Sequence, residues 1–299
     1  MTARRSPPAP ALIAAGAVSV QFGAALATQL FGRVGPVGAV TLRLVFASVA
    51  LVGVNAARGR RIRSVSGRWP DLGVAVAFGI VLGGMNLSFY EALARIPLGV
   101  AVTVEFVGPL LVTIGGSRRL SDLVWAALAG GGVFLLAGGG LLGSHQHLDL
   151  AGIGLALVAG ACWAGYILLN AQTGRRFGGT SGLAIAMSVA AIGVLPFGLV
   201  EAGGHLLRPA VLGIGLTVAM LSSVIPYSFE VAALRRVTPR AFGILLSMEP
   251  AIAALAGLAV LGQRLSPTEV VALLLVVMAN AGSVFFDARV GAGRRDLRL

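Results

Sequence analysis

The 299-residue chain contains no lysine, only 11 acidic residues, one cysteine and three histidines. Each scarcity excludes something. With 11% charged residues against 57% apolar ones and a mean hydropathy of +0.92, there is too little polar surface for a water-soluble globule. Cys162 has no partner, so neither a disulfide framework nor a cysteine metal site exists. His145, His147 and His205 all fall in loops between apolar runs. The stretch "SHQH" at 144–147 offers two imidazoles for a metal, but a solvated loop accounts for it, and no metal or other cofactor is expected. Clustered catalytic groups and the glycine-rich phosphate loop of nucleotide hydrolases are missing, which argues against an enzyme and against an ATP-driven pump.

What the chain does have is apolar runs along its whole length. Ala11 to Gly32, Pro36 to Ala57, Leu72 to Ala94, Leu98 to Gly116 and Leu123 to Leu142 form a first group. Leu150 to Leu169, Leu183 to Val200, Val211 to Leu234, Ala241 to Gly262 and Val270 to Phe286 form a second. Each approaches the roughly 20 residues a helix needs to cross a bilayer core. The runs do not alternate apolar with polar residues, which excludes a transmembrane barrel. The expected fold is therefore an all-α membrane protein of ten transmembrane helices. The first run, although preceded by Arg4 and Arg5, is read as a span and not as a cleaved export signal, because it is long and nine similar runs follow. The 43 glycines fit close helix packing, and Gly79 and Gly83 in "GIVLG" have the spacing of small residues at a helix contact.

The arginines set an orientation. With the N-terminus in the cytoplasm, eighteen of the 23 fall in inside loops or tails, four outside (Arg33, Arg95, Arg208, Arg264) and one, Arg43, within a span. The positive-inside rule thus puts both termini in the cytoplasm, with Trp69 and Trp125 at inner span ends as interfacial anchors. Scattered over short loops, these charges suit anionic lipid and topology and do not form a nucleic-acid surface.

The chain also repeats. An offset of 141 residues places Phe22 and Gly23 on Trp163 and Ala164, and Pro109 on Pro250, while "RLS" at 119–121 meets "RLS" at 264–266 at an offset of 145. This divides the chain into a cytoplasmic tail at 1–10, five-helix repeats at 11–142 and 150–287, and a second tail at 288–299. Five spans per repeat make the second copy inverted, the build of carriers that work by alternating access. "SPTE" at 266–269 reads as a capping box that starts the tenth helix.

Charges inside spans cost about 2.5–3.5 kcal/mol each even on a mild insertion scale, so those present need reasons. Arg43 and Glu105 share a depth near the outer side, with Glu91 and Asn86 close by. Glu249 lies within the ninth run and Glu230 near the inner end of the eighth. Arg43 and Glu105 form either a packing ion pair or a site in which Arg43 holds a substrate carboxylate while Glu105 or Glu249 meets an ammonium or a proton. Glu91 and Glu230 are secondary candidates, close enough to water to stay hydrated. Tyr90, Trp163, Tyr166 and Tyr227 are candidate pocket residues, each with core packing as the alternative. Pro109 and Pro250 remove helix hydrogen bonds and are hinge candidates.

The stretches "MNLSFYEALARIPLGVAVTVEFVGPLLV" (85–112), "GACWAGYILL" (160–169) and "SSVIPYSFEVAALRRVTPRAFGILLSMEPAIAALAGLAVLGQRLSPTE" (222–269) resemble the ten-helix EamA branch of the drug/metabolite transporter superfamily, and most closely its bacterial threonine/homoserine exporter group. The resemblance covers about residues 11–287. It implies an inner-membrane, secondary-active exporter of small amino acids, coupled to protons, with no cofactor. Many relatives read "LGE" where this chain has "LGQ", so Gln263 removes an acid there. Alternatives are an exporter of another small polar metabolite or drug and, from a different class, a non-transporting membrane scaffold or a membrane enzyme. Oligomeric state is not legible.

Overall fold

The computed structural model describes residues 8–57, 69–115, 120–137, 149–177, 180–226, 229 and 245–296. Among them every regular element is helical. In chain order these are α1 (Ala9–Thr28), α2 (Phe31–Ala57), α3 (Trp69–Leu93), α4 (Leu98–Glu105), α5 (Val107–Gly115), α6 (Leu120–Ala137), α7 (Leu150–Arg176), α8 (Ser181–Ala202), α9 (Pro209–Ala219), α10 (Glu249–Leu261) and α11 (Pro267–Asp296). Five stretches are long and apolar enough to cross a membrane: Pro10–Thr28, Phe31–Ala57, Pro70–Leu93, Leu150–Arg176 and Ser181–Leu207. Shorter apolar helices occupy the other five runs.

Local chemistry sets several boundaries. Gly35, at φ 69°, takes a conformation that a side chain would strain, and so separates the first turn of α2 from the helix that Pro36 begins. The new N-terminus is capped from a distant helix, as the Gly38 N–H donates to Glu201 Oε2 on α8 at 2.8 Å. The capping box at α11 forms as the sequence predicts. Ser266 N donates to Glu269 Oε2 at 2.6 Å and Glu269 N to Ser266 Oγ at 3.3 Å. The fourth run departs from expectation, because it is two helices with a turn at Phe106.

In lipid, helices associate by close packing and polar contacts, since the surrounding tails are as apolar as the side chains. Apolar residues such as Val49, Ile80, Phe134, Ile192 and Val200 accordingly face outward. Gly79 does what its spacing predicts: a Cβ there would lie 2.7 Å from the Ala186 carbonyl of α8. Trp125, expected as an interfacial anchor, packs half-buried beside Gly282 in the α6–α11 contact. Trp69 begins α3, and its side chain lies outside the described residues.

The helix partners form a matched set. At the 141-residue offset α7 corresponds to α1, α8 to α2, α9 to α3 and α10 to α5. Observed contacts join α1 to α10 and α7 to α5, α2 to α9 and α8 to α3, and α1 to α9 and α7 to α3. Two further large contacts, α2–α8 and α6–α11, each join an element to its own counterpart, and α4 packs on α10 and α7. Besides mid-helix contacts such as Ser48 Oγ with Ser188 Oγ at 2.8 Å, polar contacts at helix ends form two rims. One rim holds Gly38–Glu201, the Leu98 N–H donating to Gln263 Oε1 at 3.0 Å, and Arg95 paired with Glu91. The other holds Arg176 on Asp71 at 3.1 Å and Asn55 Oδ1 accepting from Thr180 and Ser181.

Candidate functional site

Between the rims the backbone is irregular at three places, and a proline follows each. Pro109 has no N–H for the carbonyl of Glu105, four residues back, and the chain turns at Phe106. Pro250 has none for Leu246, and α10 begins at Glu249 after a turn at Ser247 and Met248. Pro226 has none for Ser222, which lies in a π-helical turn, Met220–Val224, that continues α9. Pro109 and Pro250 therefore do break their helices. The breaks lie one to three residues ahead of them, where the missing donors are needed.

Besides Glu269 in the α11 capping box, the buried charged residues among those described gather at these interruptions. Arg43 reaches from α2 to the π turn, where its Nη2 donates to the Ser222 carbonyl at 3.1 Å and its Nε to Ser223 Oγ at 3.3 Å. Arg43 thus supplies the donor that Pro226 withholds. Its guanidinium also lies 5.6 Å from the ring centroid of Tyr90, which is fully enclosed on α3. Glu105 ends α4, Glu249 begins α10, and Glu105 is within electrostatic reach of both Glu249 and Arg43. All three charged residues are 9% exposed, which leaves each a narrow opening. Gln21, on α1, donates from Nε2 to Glu249 Oε2 at 3.5 Å.

A packing ion pair between Arg43 and Glu105 is not what forms: among the described residues they make no direct salt bridge, and Arg43 is held by the two serines. Glu105 is instead fixed through its backbone. Gly108 and Gly160 let α5 and α7 meet so closely that a Cβ on Gly160 would lie 2.6 Å from the Glu105 carbonyl, and one on Gly108 would overlap the Gly160 carbonyl.

The other candidates divide. Trp163, on α7, meets Phe106 edge-on at 4.8 Å and so borders the break. Tyr166 packs against Phe78 in the α3–α7 contact. Asn86 bonds the Leu82 carbonyl of its own helix at 2.8 Å, one turn from Tyr90. Glu91 lies at the rim, paired with Arg95 at 2.5 Å, and Arg95 also approaches Asp149 at 4.0 Å. Tyr227 and Glu230 lie outside the described residues, as does the "SHQH" stretch. Among the described residues no group of three or more His, Cys, Asp or Glu is placed to hold a metal. Sequence reasoning missed Gln21, Ser222 and Ser223. The signal for the serines was Pro226, four residues after Ser222.

An arginine beside two carboxylates, at interrupted helices between two polar rims, can hold a small zwitterion and exchange protons with it. Residues 150–285 match the EamA-like transporter family. The chain is 41% identical over 265 residues to the threonine/homoserine exporter RhtA of Salmonella typhimurium strain LT2, covering 89% of this chain and 87% of that one. It is 42% identical over 266 residues to RhtA of Escherichia coli K12, with the same coverage. The uncharacterized transporter YwfM of Bacillus subtilis strain 168 is 29% identical over 190 residues, 60% of this chain and 63% of that one. Among the solved structures that match, a crystal structure is similar with a TM-score of 0.61 at 20% identity, over 95% of this chain and all of the other, a likeness of fold alone. With an arginine–carboxylate cluster at broken helices and this identity over nearly nine-tenths of its length, the chain belongs to the EamA-like transporter family.

Proposed function

We propose that the protein exports small amino acids of the threonine/homoserine kind across the bacterial inner membrane by proton-coupled alternating access. The observation that carries this reading is the convergence of Arg43, Glu105 and Glu249 on three interrupted helices. Arg43 takes the substrate carboxylate, exchanging part of its hold on Ser222 and Ser223 for it. One acid faces the ammonium while the other takes up the proton that returns the carrier. The names of the RhtA relatives support the substrate class.

In this reading ten helices span the bilayer as two inverted repeats, 11–142 and 150–287, with both termini cytoplasmic. The matched helix contacts and the aligned breaks at Pro109 and Pro250 support it. Each rim contact also joins residues that the arginine distribution puts on the same side. Alternating access then consists of opening one rim while the other stays closed.

Inside-out vesicles containing the protein, given radiolabelled threonine or homoserine, should accumulate either label under an imposed proton gradient and stop when it is collapsed. Gradient-independent leakage equal to that of empty vesicles would overturn the reading.

A further inference from the structure

Gln21 is 2% exposed on α1, and only half of its amide is used. Its Nε2 donates to Glu249, and because a carboxylate accepts, that contact fixes which end of the amide carries oxygen. Its Oε1 is buried with no hydrogen-bond partner among the described residues. Several polar side chains on the neighbouring helices close onto their own backbone, Thr41 on the Val37 carbonyl, Asn86 on Leu82 and Thr103 on Gly99, whereas Tyr90 Oη and Ser222 Oγ, which border Arg43, are unpartnered among the described residues like Gln21 Oε1. A buried acceptor left open in such company calls for a donor from outside the chain.

The neighbours say what kind of donor. Gln21 Nε2 contacts Glu249, which is an electrostatic neighbour of Glu105, so Gln21 stands on the side of the cluster that carries the carboxylates. A primary ammonium, with three N–H groups and one positive charge, fits three acceptors. The donor-rich side, at Arg43, suits a carboxylate.

We propose that Gln21 is a substrate-contacting specificity residue, whose Oε1 accepts an N–H from the α-ammonium of a zwitterionic amino acid beside Glu249. The assignment rests on the amino-acid reading of the same cluster. It distinguishes Gln21 from a residue that merely packs α1 against its neighbours, because an interaction at the ammonium end is felt only by ligands that carry the ammonium.

The test is equilibrium binding to the purified full chain in nanodiscs, with L-threonine and 3-hydroxybutyrate as probes. The second keeps the carboxylate and hydroxyl and lacks the ammonium. Gln21→Met should weaken threonine binding about tenfold and leave 3-hydroxybutyrate within about twofold of its wild-type affinity. Gln21→Asn, which keeps the amide on a shorter stem, should fall between and serves if the Met variant is not monodisperse. Equal losses for both probes, or unchanged threonine affinity, would overturn the Gln21 assignment and leave the export reading standing. A wild-type chain that binds neither threonine nor homoserine would overturn that reading and this assignment with it.

Discussion

Arg43 shows how a residue legible in the sequence acquires its role from neighbours that were not. A lone arginine in an apolar run marks itself by its cost, and so do Glu105 and Glu249. Ser222, Ser223 and Gln21 carry no such mark, because a serine or amide in a membrane helix ordinarily bonds its own backbone, as Asn86 does. Arg43→Lys replaces a planar guanidinium, bonded to two serines and set against Tyr90, with a point charge that cannot keep all three contacts. Threonine export should drop at least about tenfold while the amount of protein in the membrane stays within about twofold. Glu105→Gln and Glu249→Gln should each lower export more than membrane abundance, measured by vesicle transport against immunoblot; a parallel fall would mean that the acids serve folding. Gln263 makes the opposite case. It accepts from the Leu98 N–H, a task a glutamate carboxylate performs equally well, so Gln263→Glu should leave export and thermal stability near wild type. Gln263→Leu orphans that N–H and should cost about 1–3 kcal/mol in a melting assay.

At the scale of elements, the proline pair was readable and the length of the helices was not. Proline acts through covalent structure, so its missing donor can be counted from sequence alone. Where the chain turns depends on which neighbour accommodates the released carbonyl. In the fourth run the turn falls at Phe106, between the acid and the proline, and Gly108 with Gly160 admits α7 against it. The π turn at Met220–Val224 left only Pro226 as a trace, and Arg43 completes it from another helix. The interruption can be tested by removing its cause and, separately, its accommodation. Pro109→Ala restores an N–H for the Glu105 carbonyl and favours a continuous helix across Phe106. Melting temperature should rise or hold while export falls, as the carboxylate turns with its straightened backbone. Gly160→Ala places a methyl against that carbonyl at a separation no Cβ tolerates, and should cost about 1–3 kcal/mol of stability. Gly84→Ala on α3, with only Cys162 Sγ at 3.5 Å, should be tolerated. Similar melting losses in the two glycine variants would mean that the α5–α7 contact yields easily.

For the whole molecule, hydropathy and arginine count suggest ten crossings and an orientation, and neither quantity requires any contact to be known. What sequence could not supply was which loops meet, since loop residues pair by geometry that the apolar runs do not encode. The contacts answer with two rims, one joining Arg95, Glu91 and Asp149, the other joining Arg176 and Asp71. Ten crossings that begin in the cytoplasm put the first group outside and the second inside. Each rim pair needs an even number of crossings between its members, two between Arg95 and Asp149 and four between Asp71 and Arg176 in the ten-span reading; an odd number would separate charged partners by about 30 Å of hydrocarbon. This makes the topology testable at two acids that lie outside the central cluster. In a Cys162→Ala background, Asp149→Cys should react with a membrane-impermeant maleimide added to intact cells, and Asp71→Cys should react only in inside-out vesicles. Both substitutions remove one member of a rim contact at the aqueous boundary, where an exposed pair contributes about 0–1 kcal/mol, and Asp149→Cys also removes the α7 N-cap, at about 1 kcal/mol, so the fold should persist in each. The reverse labelling pattern would invert the orientation and move the Arg43 side of the cluster toward the cytoplasm. Labelling of both positions from one side would mean that an even number of crossings separates residues 71 and 149, where the ten-span reading has three.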